Sequence, residues 1–316
     1  MGLFQYAMIF NLFQKLRTYE TEVMSSHLLI KAKASQKILL AAADIAHDIE
    51  KKLSAYKEDS EISRINKNAG KQKVKCSPLT IDIVKISIEV SDATEGRFDP
   101  TIGALTQKGY GFGTGKETLL SKAEKKRLKA FVNYKDIEID GESIYLKREG
   151  MFLDLGGIGK GYTADKIISF LKGKGIRAAL VSVGGEIYTY GKVWHVGVQH
   201  PRQNRLHAQV KTSLKDTLVT SSGDYERYIK DPSHNHILNP ENAESANMFS
   251  SLTLISNSLD AARMDAFNTA LFQMNIEEIT AICQRYEIGA FVVDKQMKTL
   301  RLNHIDEKVF DLSIVS

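Results

Sequence analysis

Apolar and polar positions change period several times along the chain, and each change marks an element. Residues 26–34, "SHLLIKAKA", alternate with the two-residue period of a half-buried strand. Residues 35–56, "SQKILLAAADIAHDIEKKLSAY", then switch to helical spacing, with Ser35 placed to cap the first turn. A polar loop and short helix run to Gly70, and the length of 78–96 predicts a helix stopped by Gly96. The charged stretch 121–130 reads as a surface helix, and two alternating runs around Asp140-Gly141 predict a hairpin. Residues 159–175 form a helix closed by glycine, followed by two or three strands with glycine turns over 178–201. "DTLVTSSGDYERY" and "HNHILNP" read as sheet edges with loops, and "FSSLTLIS" as a further strand. Two helices, one of them 259–272, and a hairpin-like "GAFVVDKQMKTLRL" complete the series. Strands and helices mix without strict βαβ alternation, which predicts an α+β fold with largely antiparallel sheet. Residues 1–23 are expected to be a helical N-terminal extension to one domain over 24–316.

Composition narrows the function classes. The chain of 316 residues is 43% hydrophobic and 26% charged, which suits an ordinary globular protein with a sizeable core. Its net charge of +5 is diffuse. The basic clusters at 71–75 and 122–129 carry no interleaved aromatics, so no nucleic-acid partner is expected. Cys76 and Cys283 make neither a CxxC motif nor a disulfide framework. The apolar stretch 3–13 is interrupted by Gln5, Tyr6 and Asn11 and has no basic residues ahead of it, no clean cleavage site and no lipid-accepting cysteine. Cytoplasmic work with at most peripheral membrane contact is therefore the expectation, and a periplasmic or envelope-associated enzyme the alternative.

Chemistry concentrates where polarity exceeds what folding needs. In "LDAARMDAFNTALF" an otherwise apolar helix carries Asp265 and Thr269 four residues apart, hence on one face. A carboxylate among apolar neighbours needs a partner, and Arg263, a distant lysine or a cation could each supply it. The glycines at 156, 157, 159 and 161 open a helix, as a backbone that approaches a phosphate would. That run matches neither GxGxxG nor the P-loop. Taken alone, His236 and the Gly184-Gly185 pair read better as structural residues than as catalyst or ligand contact.

Taken in order, "SEISRIN", "GRFDPTIG", "DLGGIGKGYTAD", "VSVGGE", "SGDYERY", "HILNP" and "MDAFNTAL" resemble the motif series of the ApbE family, the FAD:protein FMN transferases. The resemblance runs from about Met24 onward. It implies an ApbE-like α+β fold and a magnesium site made of Asp265, Thr269 and the Gly157 backbone carbonyl. It also implies FAD contacts at Met24, Tyr56, Arg97, Phe98, Asp99, Asp154, Lys160 and Ile237, with His236 as general base or proton shuttle. The implied reaction attaches FMN to a threonine of a client flavoprotein and releases AMP. A pyrophosphatase that releases FMN and AMP, and a non-catalytic FAD-binding protein, are the rival readings.

Overall fold

The computed structural model describes residues 15–303 and 311–314. Arg17–Val23 (β1) and Ser26–Ala32 (β2) form an antiparallel hairpin whose turn residues, Met24 and Ser25, both take positive φ. This corrects the expected boundary at residue 24, because Arg17–Val23 is a strand of the domain and no part of a helical extension. Its residues alternate, with Tyr19, Thr21 and Val23 turned inward and Thr18, Glu20 and Glu22 exposed. The expected helix over 3–13 lies outside the described residues.

Ser35 caps Gln36–Leu53 (α1) by accepting the Ile38 N–H, and Leu39, Ala42, Ala43, Ala46, Ile49 and Leu53 bury one face of that helix. Glu61–Lys67 (α2), Val74–Lys75 (β3), Pro78–Ala93 (α3), Gly103–Thr106 (α4) and Lys122–Lys129 (α5) follow. As expected for a surface helix, α5 buries no residue. Ile137–Asp140 (β4) and Ser143–Leu146 (β5) make the hairpin at Gly141 and, with β3, a small three-stranded sheet. Gly159–Gly173 (α6) leads to Ala179–Val183 (β6), Glu186–Tyr190 (β7), His195–Gln199 (β8), Leu206–Lys211 (β9) and Thr217–Gly223 (β10). Phe249–Ser256 (β11), Ala261–Leu271 (α7), Ile276–Arg285 (α8), Gly289–Asp294 (β12), Thr299–Leu302 (β13) and Asp311–Ile314 (β14) end the chain.

The main sheet has eight strands in the order β1-β2-β6-β7-β10-β11-β12-β13, antiparallel at every pairing, so the α+β expectation holds. One expectation within it fails. The strand read as a sheet edge, β10, lies inside between β7 and β11. Both faces of this sheet are covered. On one face, Val181, Leu218, Leu254 and Val292 join the main core, against which α1, α6 and α7 pack. On the other, Leu180, Val219, Ile255 and Phe291 meet Val196, Val198, Ala208 and Val210 of β8 and β9, which form a second three-stranded sheet with β14. Successive residues of a strand point to opposite faces, so a doubly covered strand is apolar or small throughout. All eight residues of β11 are accordingly buried. No helix among the described residues is long and apolar enough to cross a membrane.

Candidate active site

The site is built on the crossing of α6 and α7. A Cβ on Gly161 would lie 2.0 Å from the Ala261 carbonyl oxygen and 2.8 Å from Asp265 Cβ, so only glycine lets the two helices approach this closely. One turn along α6, the Asp165 carboxylate accepts the N–H groups of Ala261 and Ala262, each at 2.9 Å. Asp260 adds a conventional cap by accepting the Arg263 N–H at 2.8 Å. Two carboxylates thus satisfy donors that the first turn of α7 leaves unpaired, and they complement its dipole. The result is a helix fixed in register against α6.

That register determines what Asp265 meets. The residue is 3% exposed. Its Oδ2 accepts the Gly161 N–H at 2.9 Å, and its Oδ1 faces Lys160 Nζ at 3.4 Å. Lys160 is shared, for Glu186 Oε1 lies 3.6 Å from the same ammonium. Glu186 Oε2 accepts from the Thr220 hydroxyl, which in turn accepts from Asn268 Nδ2 at 3.3 Å. Burial works against the Lys160 charge, yet Asp265 and Glu186 outweigh it and hold the ammonium's pKa above the ordinary lysine value. Burial, with the charge of Asp265 behind it, pushes the Glu186 carboxyl up. The buried Asn268 Oδ1 has no partner among the described residues.

Thr269 sits one turn beyond Asp265, and a Cβ on Gly157 would fall 2.8 Å from Thr269 Oγ1. The Gly157 backbone therefore lies against that hydroxyl, and the expected trio of Gly157, Asp265 and Thr269 is brought together. It offers one carboxylate and neutral oxygens. No group of three acidic, histidine or cysteine side chains placed to hold a metal ion occurs among the described residues. Such a sparse set of hard oxygens suits magnesium, which completes its shell with water and substrate phosphate, better than zinc or calcium. By that donor chemistry the residues fit the cation.

His236 lies in the segment between β10 and β11. Its Nδ1 lies 3.2 Å from the Arg227 carbonyl oxygen, and its ring meets Phe112 edge-on. A carbonyl can only accept, so Nδ1 carries the proton and Nε2 keeps its lone pair. Desolvation pushes the imidazole of this half-buried ring down to about 4, against a backbone hydrogen bond that favours the charged form, so the ring is neutral at ordinary pH. Lys160, Asp154 and Arg227 are close enough to act on its charge. Tyr56 is half exposed, and its hydroxyl donates to the Phe112 carbonyl at 2.9 Å near Asp154 and Arg227. Asp154 is held by the Gly156 N–H and the Thr106 hydroxyl at 2.9 and 2.7 Å. Phe98 packs beside Gly157, and Lys160 lies under the turn at Gly184.

The other expected residues make these contacts within the protein. The Asp99 carboxylate accepts the N–H and hydroxyl of Thr101 and the N–H of Tyr134, so it organises the "FDPT" turn. The Arg97 guanidinium pairs with Glu241 at 3.1 Å and Glu278 at 3.5 Å. Ile237 is 6% exposed in the core, with its N–H on Asn235 Oδ1 and its carbonyl accepting from Ala246. Met24 lies near Thr163, whose hydroxyl approaches its sulfur at 3.8 Å. Four residues that shape the site were not singled out from the sequence: Asp165, Glu186, Thr220 and Asn268. Asp165, Glu186 and Asn268 lie inside quoted motifs and carried that signal. Thr220 matters through contacts that no local pattern encodes.

Residues 18–292 match the model of the ApbE family. A Klebsiella pneumoniae FAD:protein FMN transferase is 28% identical over 286 residues, covering 88% of this chain and 89% of the relative. One from Vibrio cholerae is 26% identical over 272 residues, covering 83% and 81%. Among solved structures, the ApbE protein of Thermotoga maritima superposes with a TM-score of 0.83 at 25% identity, covering 91% of this chain and 97% of the other. The flavin transferase ApbE of Vibrio cholerae gives 0.81 at 22% identity, covering 92% and 98%, a likeness of fold.

Proposed function

The chain belongs to the ApbE family, and on that footing we propose that it is a magnesium-dependent FAD:protein FMN transferase acting on a threonine of a client flavoprotein. One observation carries the reading: Gly157 lies against Thr269, one turn from Asp265 on α7, with Lys160 on Asp265 and His236 close enough to feel the Lys160 charge.

The chemistry follows from charge and proton inventory. The threonine Oγ forms a bond to the phosphorus of the FMN half. The bond from that phosphorus to the bridging oxygen breaks, and AMP departs with that oxygen. His236 Nε2, neutral and free, takes the threonine proton. Lys160 brings a fixed positive charge to the pyrophosphate, held in place by two carboxylates. A divalent cation on Asp265, Thr269 and the Gly157 carbonyl would neutralise charge on the phosphate oxygens. Tyr56, half exposed, supplies a flat face suited to an aromatic ring of the substrate. Such transfers depend mainly on positioning and electrostatics, which a cleft braced this way can provide.

Chromatographic assay of AMP released from FAD in the presence of a client flavoprotein, with magnesium or with a chelator, tests the reading. AMP is expected only with magnesium, and Asp265→Ala is expected to abolish that dependence while circular dichroism stays native. Equal AMP in chelator, or full magnesium stimulation of the variant, would remove the metal assignment.

A further inference from the structure

Two carboxylates share one lysine at this site, and only one of them belongs to the expected cation site. Asp265 has committed Oδ2 to the Gly161 N–H, which leaves Oδ1 as the oxygen for a cation. That same Oδ1 faces Lys160 Nζ at 3.4 Å. A divalent cation and an ammonium therefore compete for one oxygen, and two positive charges would meet there unless the ammonium had somewhere to go. Glu186 stands on the other side, with Oε1 3.6 Å from the same Nζ. Its side chain is 5% exposed, and its Oε2 is taken by the Thr220 hydroxyl, so Oε1 is the oxygen turned to the lysine. Thr220 accepts in turn from Asn268, the residue just before Thr269 on α7. Glu186 is thereby tied, through β10, to the helix that carries the cation ligands.

We propose that Glu186 is a positioning residue that takes over the Lys160 ammonium when a divalent cation occupies Asp265, so that both positive charges stay in the cleft. The inference rests on the metal reading given above and adds to it a residue with a distinct task. Glu186 touches neither substrate nor cation in this scheme and acts through Lys160. Without it, Lys160 keeps hold of Asp265 and excludes the cation, or leaves the cleft and takes its charge away from the pyrophosphate. The Thr220 and Asn268 links keep its carboxylate from turning away.

The test is a double-mutant cycle read by manganese binding to the FAD-free protein, followed by electron paramagnetic resonance, with no turnover involved. Glu186→Gln alone is expected to weaken manganese binding by about tenfold, the low end for residues that orient a metal site. Lys160→Met is expected to tighten it, and Glu186→Gln added to Lys160→Met is expected to change little, because the competitor is gone. Loss of the same size in both backgrounds would make Glu186 a structural or bulk-charge residue and overturn the proposal. No loss in either background would overturn it too. Should Glu186→Gln fail to fold by circular dichroism, Thr220→Val releases the same carboxylate, and its smaller loss must likewise vanish in the Lys160→Met background. Failure of the underlying metal reading looks different: the parent protein then binds no manganese that Asp265→Ala removes.

Discussion

At His236, desolvation sets a chemistry that an isolated histidine would not have. The ring sits at about 4 rather than 6.5, so lowering the pH from neutrality leaves it unprotonated well below the usual histidine range. As a base it is active when neutral, so the acid limb of kcat/KM for the free enzyme is expected near pH 4, and a limb near 6.5 would contradict the assignment. His236→Ala is expected to cut turnover by about two to four orders of magnitude while equilibrium dialysis still detects FAD binding. At this scale the sequence was informative wherever chemistry demands local spacing. Asp265 and Thr269 are readable as neighbours because four residues make a helical turn. The partner of Asp265 was not readable, since Lys160 lies 105 residues away and only the α6–α7 crossing brings it near.

Between elements, the decisive contact is the one Gly161 permits. Gly161→Ala would place a methyl group 2.0 Å from a backbone oxygen of α7, which can be relieved only by moving the helices apart. Overpacking of this kind is expected to cost about 1–3 kcal/mol, read as a lower midpoint in urea unfolding, with magnesium response lost at the same time. Gly173→Ala, in open space on the same helix, is expected to leave both unchanged. Periodicity identified the helices and most strands because each buries one face. It gave the wrong place to β10 and no strand at β1. The expectation for β10 failed because a strand's neighbours are chosen by nonlocal pairing, with β7 and β11 in this case. The β1 miss has a different origin: the apolar residues ahead of it suggested a helix, whereas its own alternation was short and half polar.

Across the whole molecule, the second sheet is tied to the first by a buried carboxylate. Asp224, fully buried after β10, accepts two hydrogen bonds at 2.6 Å from Arg202 in the β8–β9 turn and one at 2.6 Å from Lys295 in the β12–β13 turn. Both cations are partly exposed, at 35% and 27%. Asp224→Ala is thus expected to cost on the order of 2–3 kcal/mol, below what a fully buried pair loses, in a thermal or urea melt. The central claim concerns the reaction itself. A client flavoprotein is incubated with FAD, magnesium and this enzyme, and the intact proteins are then weighed by mass spectrometry. The account predicts a client heavier by one FMN group, mapped to a threonine by peptide fragmentation, with AMP released in equal amount. An unmodified client beside free FMN and AMP, or beside intact FAD, would contradict it.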